Sequence, residues 1–184
     1  MESRNLGIEG LWLLTFPIHT DNRGYFREWF KASEIEQELG RKFETMQANI
    51  SMSSKSVLRG IHFSLGLEGQ GKLVTCVSGA IWDVVVDLRK DSPTFRQWVG
   101  TTLDSKKGEV LFISEGLGHG FQALEDNSAV TYLLTSPYSP GVEYELNPFD
   151  LDLEISWPLD NSILSRKDSQ AQSLQNLNDT GLLP

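Results

Sequence analysis

The stretch Lys72-Leu73-Val74-Thr75-Cys76-Val77-Ser78-Gly79-Ala80-Ile81-Trp82-Asp83-Val84-Val85-Val86-Asp87-Leu88 decides the fold class. Two runs rich in Val, Ile and Thr, Lys72 to Val77 and Ile81 to Leu88, flank a Ser78-Gly79 turn, which is the composition of two adjacent strands. The same pattern extends outward on both sides, through Leu11 to Phe16, Tyr25 to Phe30, Phe43 to Ile50, Val57 to Phe63, Phe95 to Leu103, Glu109 to Ile113, Gly120 to Leu124 and Ala129 to Thr135. Turn-forming residues separate them, among them Lys90-Asp91-Ser92-Pro93, Asp104 to Gly108, Glu125-Asp126-Asn127 and Ser139-Pro140-Gly141. About ten short strands at intervals of about 8 to 14 residues predict an all-β sandwich or barrel, running from Ile8 to Trp157.

Two helical signals interrupt the β pattern. Ser33 followed by Glu36 reads as a capping box, Ile35 and Leu39 share a face, and Gly40 is a stop signal, so a short helix is expected near 33–40. Ser165-Arg166-Lys167-Asp168 resembles a second helix start, with Ala171, Leu174 and Leu177 at helical spacing in an otherwise polar tail. The expected organisation is one domain over 1–184, with a β core over about 8–157 and a C-terminal tail over 158–184.

Composition bounds the function. The 184 residues carry 25 acidic and 16 basic side chains, a net charge of −9, without a Lys/Arg cluster, which argues against a nucleic-acid or anionic-membrane surface. An anionic ligand must therefore be met by cations gathered locally. Apolar runs of five or six residues fall far short of the roughly 20 that a membrane helix needs. Cys76 has no second cysteine to pair with, and MESRNLGIEGLWLL lacks the order of a signal peptide, so a reducing cytoplasm is expected.

Three histidines can be weighed one by one. His62, in the strand Leu58-Arg59-Gly60-Ile61-His62-Phe63, is either a hydrogen-bonded core imidazole or a general base. His119, in Glu115-Gly116-Leu117-Gly118-His119-Gly120-Phe121, is either a turn histidine satisfied by backbone or a residue beside a ligand, with glycines that permit close approach. His19 reads as a surface residue. No H-x-H or H-x-x-x-H pair exists, 57 residues separate His62 from His119, and neither G-x-S-x-G nor a Cys-His pair is present, so neither a metal nor covalent catalysis is expected. Proton transfer is the chemistry left. Lys72, Asp83, Tyr132 and His62 are the polar residues on apolar strands; alternation puts Lys72 with Val74 and Cys76, and Tyr132 with Val130 and Leu134. Such groups are paired in a core or line a cavity, and Asp83 has the further option of neutralising a buried cation. Arg59 and His62 have opposite strand parity, so their sharing one ligand requires a bulge, for which Gly60 is the candidate.

Taken together, Asp21-Asn22-Arg23-Gly24-Tyr25-Phe26-Arg27-Glu28, Gln47-Ala48-Asn49-Ile50-Ser51, Val57 to Phe63, Gly71-Lys72-Leu73-Val74, Asp83 to Arg89, Ser92-Pro93-Thr94-Phe95, Glu115 to Phe121 and Tyr138-Ser139-Pro140 resemble the dTDP-4-dehydrorhamnose 3,5-epimerases, deoxysugar-nucleotide epimerases of the rhamnose pathway. The resemblance spans about Asp21 to Asp168. It implies a cupin-type jelly roll, acting as a homodimer without metal, on a dTDP-linked 4-keto-6-deoxy sugar. Residue by residue it implies His62 as proton acceptor, Lys72 facing the C4 oxygen, Tyr132 as proton donor on the opposite face, and Asp168 orienting the histidine, although Asp168 also suits a helix cap. Arg23 and Arg59 match diphosphate contacts; Gln47, Asn49, Glu28, Glu143 and Lys167 match nucleotide or sugar contacts; Tyr138 matches a ring stacked on thymine, and His119 a residue beside the sugar. Departures are Ser64 for a common glutamine, Gly118 for a common alanine, and a segment Leu65 to Gly69 that is not diagnostic.

The implied reaction is epimerisation of dTDP-4-dehydro-6-deoxy-D-glucose at C3 and C5 to dTDP-4-dehydro-L-rhamnose. The alternatives are a single-carbon epimerase of a related sugar nucleotide, a non-catalytic sugar-nucleotide binding module, and a metal-dependent oxygenase on the same fold.

Overall fold

A computed structural model describes residues 1–66 and 69–184; Leu67 and Glu68, inside the non-diagnostic segment, lie outside the described residues. In chain order the elements are β1 (Glu2–Asn5), β2 (Leu11–Thr15), β3 (His19–Asp21), β4 (Gly24–Phe26), α1 (Ala32–Leu39), β5 (Gln47–Ser53), β6 (Leu58–Ser64) and β7 (Lys72–Ser78). They continue with β8 (Ala80–Asp87), β9 (Trp98–Asp104), β10 (Glu109–Ile113), β11 (Leu117–Ala123), β12 (Ser128–Leu134), β13 (Glu143–Glu145), α2 (Arg166–Ser169) and α3 (Leu174–Asp179).

Six strands form one antiparallel sheet in the order β1-β2-β10-β7-β12-β5, and five form a second in the order β13-β6-β11-β8-β9. Neighbours such as β10 and β2, or β11 and β6, are far apart in sequence, so the chain crosses repeatedly between sheets as in a jelly roll. The β3–β4 hairpin stands apart from both.

Strand alternation sorts the side chains into three apolar layers. Between the sheets lie Leu11, Leu13, Val74, Cys76, Ile81, Val85, Phe121 and Val130. Outside the six-stranded sheet, Leu14, Leu73, Phe112 and Leu133 pack under Ile35 of α1 and Phe43. Outside the five-stranded sheet, Ile61, Phe63, Val84 and Val86 are covered by Leu146, Leu153, Leu174, Leu177 and Leu183. Each side chain so buried contributes about 1.5–3 kcal/mol, which makes the C-terminal tail a docked part of the structure.

Polar contacts seal that docking. The buried Gln122 donates from Nε2 to Leu159 O and Ser162 Oγ, both at 2.8 Å, and accepts from Leu159 N at 3.0 Å. Asp150 Oδ2 accepts from Leu174 N at 2.8 Å, and the Trp98 and Trp157 indoles donate to Leu153 O and Pro148 O.

The helices differ from expectation in detail. Helix α1 begins after Lys31, which provides no side-chain cap, so Ser33 lies inside the first turn and the expected capping box is not formed; Gly40 ends the helix with φ +66°. The tail helix is two helices, each with its own serine cap, Ser165 accepting from Asp168 N and Ser173 from Asn176 N. Strands β1, β3 and β13 were not expected, and the run expected over Tyr25 to Phe30 is reduced to the short β4.

At the end of β8 the fully buried Asp87 accepts from Arg89 Nε and Nη2 at 2.8 Å and from Ser92 Oγ and Thr94 Oγ1 at 2.6 Å, fixing the β8–β9 connection. Burial opposes its ionisation, but those donors outweigh burial and hold the carboxyl at about 2 against an ordinary 3.8. A depressed carboxyl stabilises the fold fully above its unfolded range near 4 and ceases to do so as pH falls through about 2. Asp87→Asn is expected to cost about 2 kcal/mol at neutral pH and to flatten the stability loss between about pH 4 and pH 2, as read by urea unfolding across that range.

Candidate active site

The parity conflict between Arg59 and His62 is resolved at Gly60. His62 pairs with His119 and Arg59 with Phe121, so three steps along β6 face two along β11 and one residue bulges. Gly60 sits at φ +114°, where a Cβ would lie 2.6 Å from Gly120 Cα and 2.7 Å from the His119 carbonyl oxygen. Only glycine fits that crossing. Gly118 and Gly120 likewise serve strand-to-strand packing, against Ile61 and Leu88 and against Arg59 O, rather than the approach of a ligand. With the bulge in place, Arg59 and His62 face the same cavity, and Arg59 is steadied by Ser53 Oγ at 3.1 Å and Met52 O at 3.3 Å.

That cavity, about 650 Å³, opens between the two sheets. Lys72, Tyr132, Arg59, His62 and His119 line it from the strands, and Gln47 and Asn49 from the edge strand β5. Tyr138, Glu143, Lys167 and Asp168 complete its wall from β13, the segment before it and α2. Two expected residues are not among the lining residues. Arg23 is exposed on the β3–β4 hairpin, paired with Asp21 at 2.5 Å, and Glu28 is exposed just beyond it. His19 is exposed on the same hairpin.

The histidines are oriented by carboxylates. His62 Nε2 lies 2.6 Å from Asp168 Oδ1, a contact spanning 106 residues. Asp168 is not the cap but is held by it: its Oδ2 accepts from Ser165 Oγ at 2.7 Å while its own N–H donates to that hydroxyl at 3.0 Å. Burial works against its charge, but hydrogen bonds from His62 and Ser165, the nearby imidazole and the Gly60 amide hold the carboxyl below its usual range. An ionised Asp168 accepts a proton-bearing Nε2, which leaves Nδ1 as the basic nitrogen. His119 is not satisfied by backbone: its Nε2 lies 2.9 and 3.0 Å from the two oxygens of the fully buried Asp83, whose carboxyl burial pushes up and the imidazole pulls back. The partner of Asp83 is thus the His119 imidazole and not Lys72.

Lys72 is buried at 6% exposure, and burial lowers its ammonium to about 8 despite the opposing charges of Glu143 and Glu115. Gln47 Oε1 accepts from Tyr138 N at 2.9 Å, and Gln47 Nε2 donates to Asn49 Oδ1 at 3.0 Å, so this wall of the cavity is already ordered. Among the described residues no cluster of three His, Cys, Asp or Glu side chains has the geometry to hold a metal ion. A cavity-facing imidazole backed by a buried carboxylate, a low-lying ammonium and a phenol around one cavity are equipped to move a proton to and from carbon beside a carbonyl.

The dTDP-4-dehydrorhamnose 3,5-epimerase family model matches residues 5–176. The chain belongs to this family. It is 46% identical to the dTDP-4-dehydrorhamnose 3,5-epimerase of Mycolicibacterium smegmatis, over all of this chain and 91% of the relative. It superimposes with a TM-score of 0.97, at 44% identity, on the 4-keto-6-deoxy sugar epimerase of the novobiocin biosynthetic gene cluster of Streptomyces spheroides, covering all of this chain and 92% of the other. It superimposes with a TM-score of 0.94, at 40% identity over 97% of this chain and 91% of the other, on a 3'-monoepimerase from Streptomyces bikiniensis in complex with dTDP-quinovose. The fold is accordingly the cupin-type jelly roll of these epimerases.

Five further polar residues line the cavity without having been singled out as site residues in the sequence: Ser51, Gln70, Tyr144, Glu145 and Ser165. Glu145 lies opposite His62 in register and forms an ion pair with Lys167, tying β13 to α2 and raising the Lys167 ammonium. The alternation in Glu143-Tyr144-Glu145 was its one available signal. The close crossing at Gly60 makes its own prediction: Gly60→Ala is expected to lower stability by about 1–3 kcal/mol and to broaden or shift the His62 imidazole resonances in NMR, while Gly7→Ala, with open space around it, leaves those resonances in place.

Proposed function

We propose that the chain epimerises dTDP-4-dehydro-6-deoxy-D-glucose at C3 and C5 to dTDP-4-dehydro-L-rhamnose, without a cofactor, by proton abstraction and return through an enolate. The observation that carries this reading is the gathering of His62, Lys72 and Tyr132 around one cavity. A proton on carbon beside a ketone becomes removable when a base is in reach and the oxygen that gathers charge meets a cation shielded from water. His62 Nδ1 is the base, held in that tautomer by Asp168. The Lys72 ammonium meets the C4 oxygen. Tyr132 returns a proton to the opposite face, as inversion demands. Arg59 is assigned to the diphosphate, Tyr138 to the thymine ring, and Gln47, Asn49, Glu143 and Lys167 to nucleotide or sugar, with His119 beside the sugar.

The exposed position of Arg23 and Glu28 supports the homodimer in this reading. The β3–β4 hairpin presents Tyr25 at 54% and Phe26 at 66% exposure, and the sheet-edge strand β5 presents Ile50 at 71% and Met52 at 64%. Apolar surface of this kind beside an open sheet edge favours burial against a second copy, which then brings Arg23 and Glu28 to the neighbouring cavity. The expected outcome of mixing Arg23→Ala with His62→Asn chains, each inactive alone, is partial recovery of activity, because each mixed dimer has one site with both residues intact; no recovery after subunit exchange removes Arg23 from the neighbour's site. Among the described residues no helix is long and apolar enough to cross a membrane, and the lone buried Cys76 suits the reducing cytoplasm in which we place the reaction.

A single-carbon epimerase is the second reading, favoured by the similarity to the 3'-monoepimerase. Incubation with the 4-keto sugar nucleotide in heavy water decides between them: two labelled and inverted carbons are expected by NMR, one for the alternative, and none for a binding module. His62→Asn is expected to abolish exchange at both positions. Tyr132→Phe is expected to spare exchange at C3 more than inversion at C5, and equal retention of both removes Tyr132 as the acid.

The lysine carries a pH signature. Its ammonium is the form that meets the enolate, so kcat is expected to fall as pH rises through about 8, where that proton leaves. Lys72→Met is expected to lower kcat by about 10²–10³ and to remove this alkaline limb from the rate profile.

A further inference from the structure

Gln70 is buried at 7% exposure on the cavity wall, two residues before Lys72. Its Nε2 donates to Glu143 Oε1 and to the Ser136 carbonyl, both at 3.3 Å, while its own carbonyl oxygen accepts from Lys72 Nζ at 3.5 Å. The backbone on either side is pinned: Gly71 N donates to Thr135 Oγ1 at 2.7 Å and Ser136 Oγ donates to Gly69 O at 3.0 Å. One residue therefore grips a cation through its main chain and a carboxylate through its side chain, from a fixed base on the end of β12.

From this geometry we infer that Gln70 is a positioning residue, which holds Glu143 at a set distance from Lys72 and so keeps the ammonium charged and aimed into the cavity. The inference rests on the assignment of Lys72 to the enolate oxygen. The titratable and charged groups around Lys72 are Arg59 and His62 on β6, His119 on β11, Tyr132 on β12, Tyr138 before β13, Glu143, Tyr144 and Glu145 on β13 and Lys167 and Asp168 on α2, with Glu115 behind the Gly69–Gly71 segment. His62, His119 and Lys167 are each engaged by a carboxylate of their own, Asp168, Asp83 and Glu145. Glu115 is held by Arg41 in a two-pronged pair at 2.5 and 2.9 Å. Glu143 is the carboxylate whose nearest anchor is neutral, so its charge is left to act on Lys72, and the anchor is Gln70.

The test is the pH dependence of kcat in Gln70→Met, which keeps the volume and removes the amide, and in Gln70→Asn, which withdraws the amide by one carbon. Both are expected to move the alkaline limb to lower pH by about half a unit to one unit, and so to lower kcat by about two- to fivefold at pH 8. Glu143→Gln is expected to move the limb in the same direction, and Gln70→Met added to Glu143→Gln to move it no further, the non-additivity that a shared route requires. A residue serving packing alone lowers the melting temperature and leaves the limb where it was. An unmoved limb in whichever Gln70 variants fold, with Lys72→Met inactive, overturns the role of Gln70. A Lys72→Met protein that turns over like the wild type overturns the lysine assignment and this inference with it.

Discussion

The hydrogen bond between His62 and Asp168 is the contact on which the proposed chemistry depends. It joins a strand in the middle of the sandwich to a short helix in the tail, and it has two structural prerequisites. The bulge at Gly60 turns His62 and Arg59 to the same side of β6. The docking of the tail, through Gln122, Asp150 and the leucines over the five-stranded sheet, brings α2 up to that strand. Remove either and the imidazole loses the partner that sets its tautomer.

Charge is handled by pairing. A chain of net −9 has to present positive groups to an anionic ligand, and Arg59 and Lys72 are gathered on one cavity without an ion-pair partner of their own there. Its carboxylates are spent on particular duties: Asp83 and Asp168 on the two imidazoles, Glu145 on Lys167. Burial costs Lys72 part of its affinity for a proton and leaves the ammonium responsive near neutral pH, a state suited to stabilising charge that appears only during reaction.

Much of this was legible in the residues. The apolar β runs located the central strands because buried strands need Val, Ile and Phe on both faces when helices or a tail cover the outside. Strands β1, β3 and β13 were not legible, since Glu2-Ser3-Arg4-Asn5, His19-Thr20-Asp21 and Glu143-Tyr144-Glu145 bury little and owe their pairing to neighbours. The helix α1 starts a residue before Ser33 for a related reason: burial of Ile35 under Phe43 fixes its register, and a serine hydroxyl cannot override that. Strand parity left Lys72 and Tyr132 as core or cavity residues, which the family resemblance narrowed to the cavity, and it pointed to Gly60 as the place where parity must fail. Asp168 stood out only through the family resemblance, because nothing local in a polar tail announces an imidazole 106 residues away. Gln70 carried no signal at all; a glutamine between two glycines reads as loop.

The tail has a temporal consequence. During synthesis the whole sandwich, His62 included, is made before Asp168, so a nascent or nicked chain with its strands already paired still carries an imidazole with no carboxylate to steer it. The pairing of His62 with Asp168 therefore forms last, when the final turns settle onto the outer sheet.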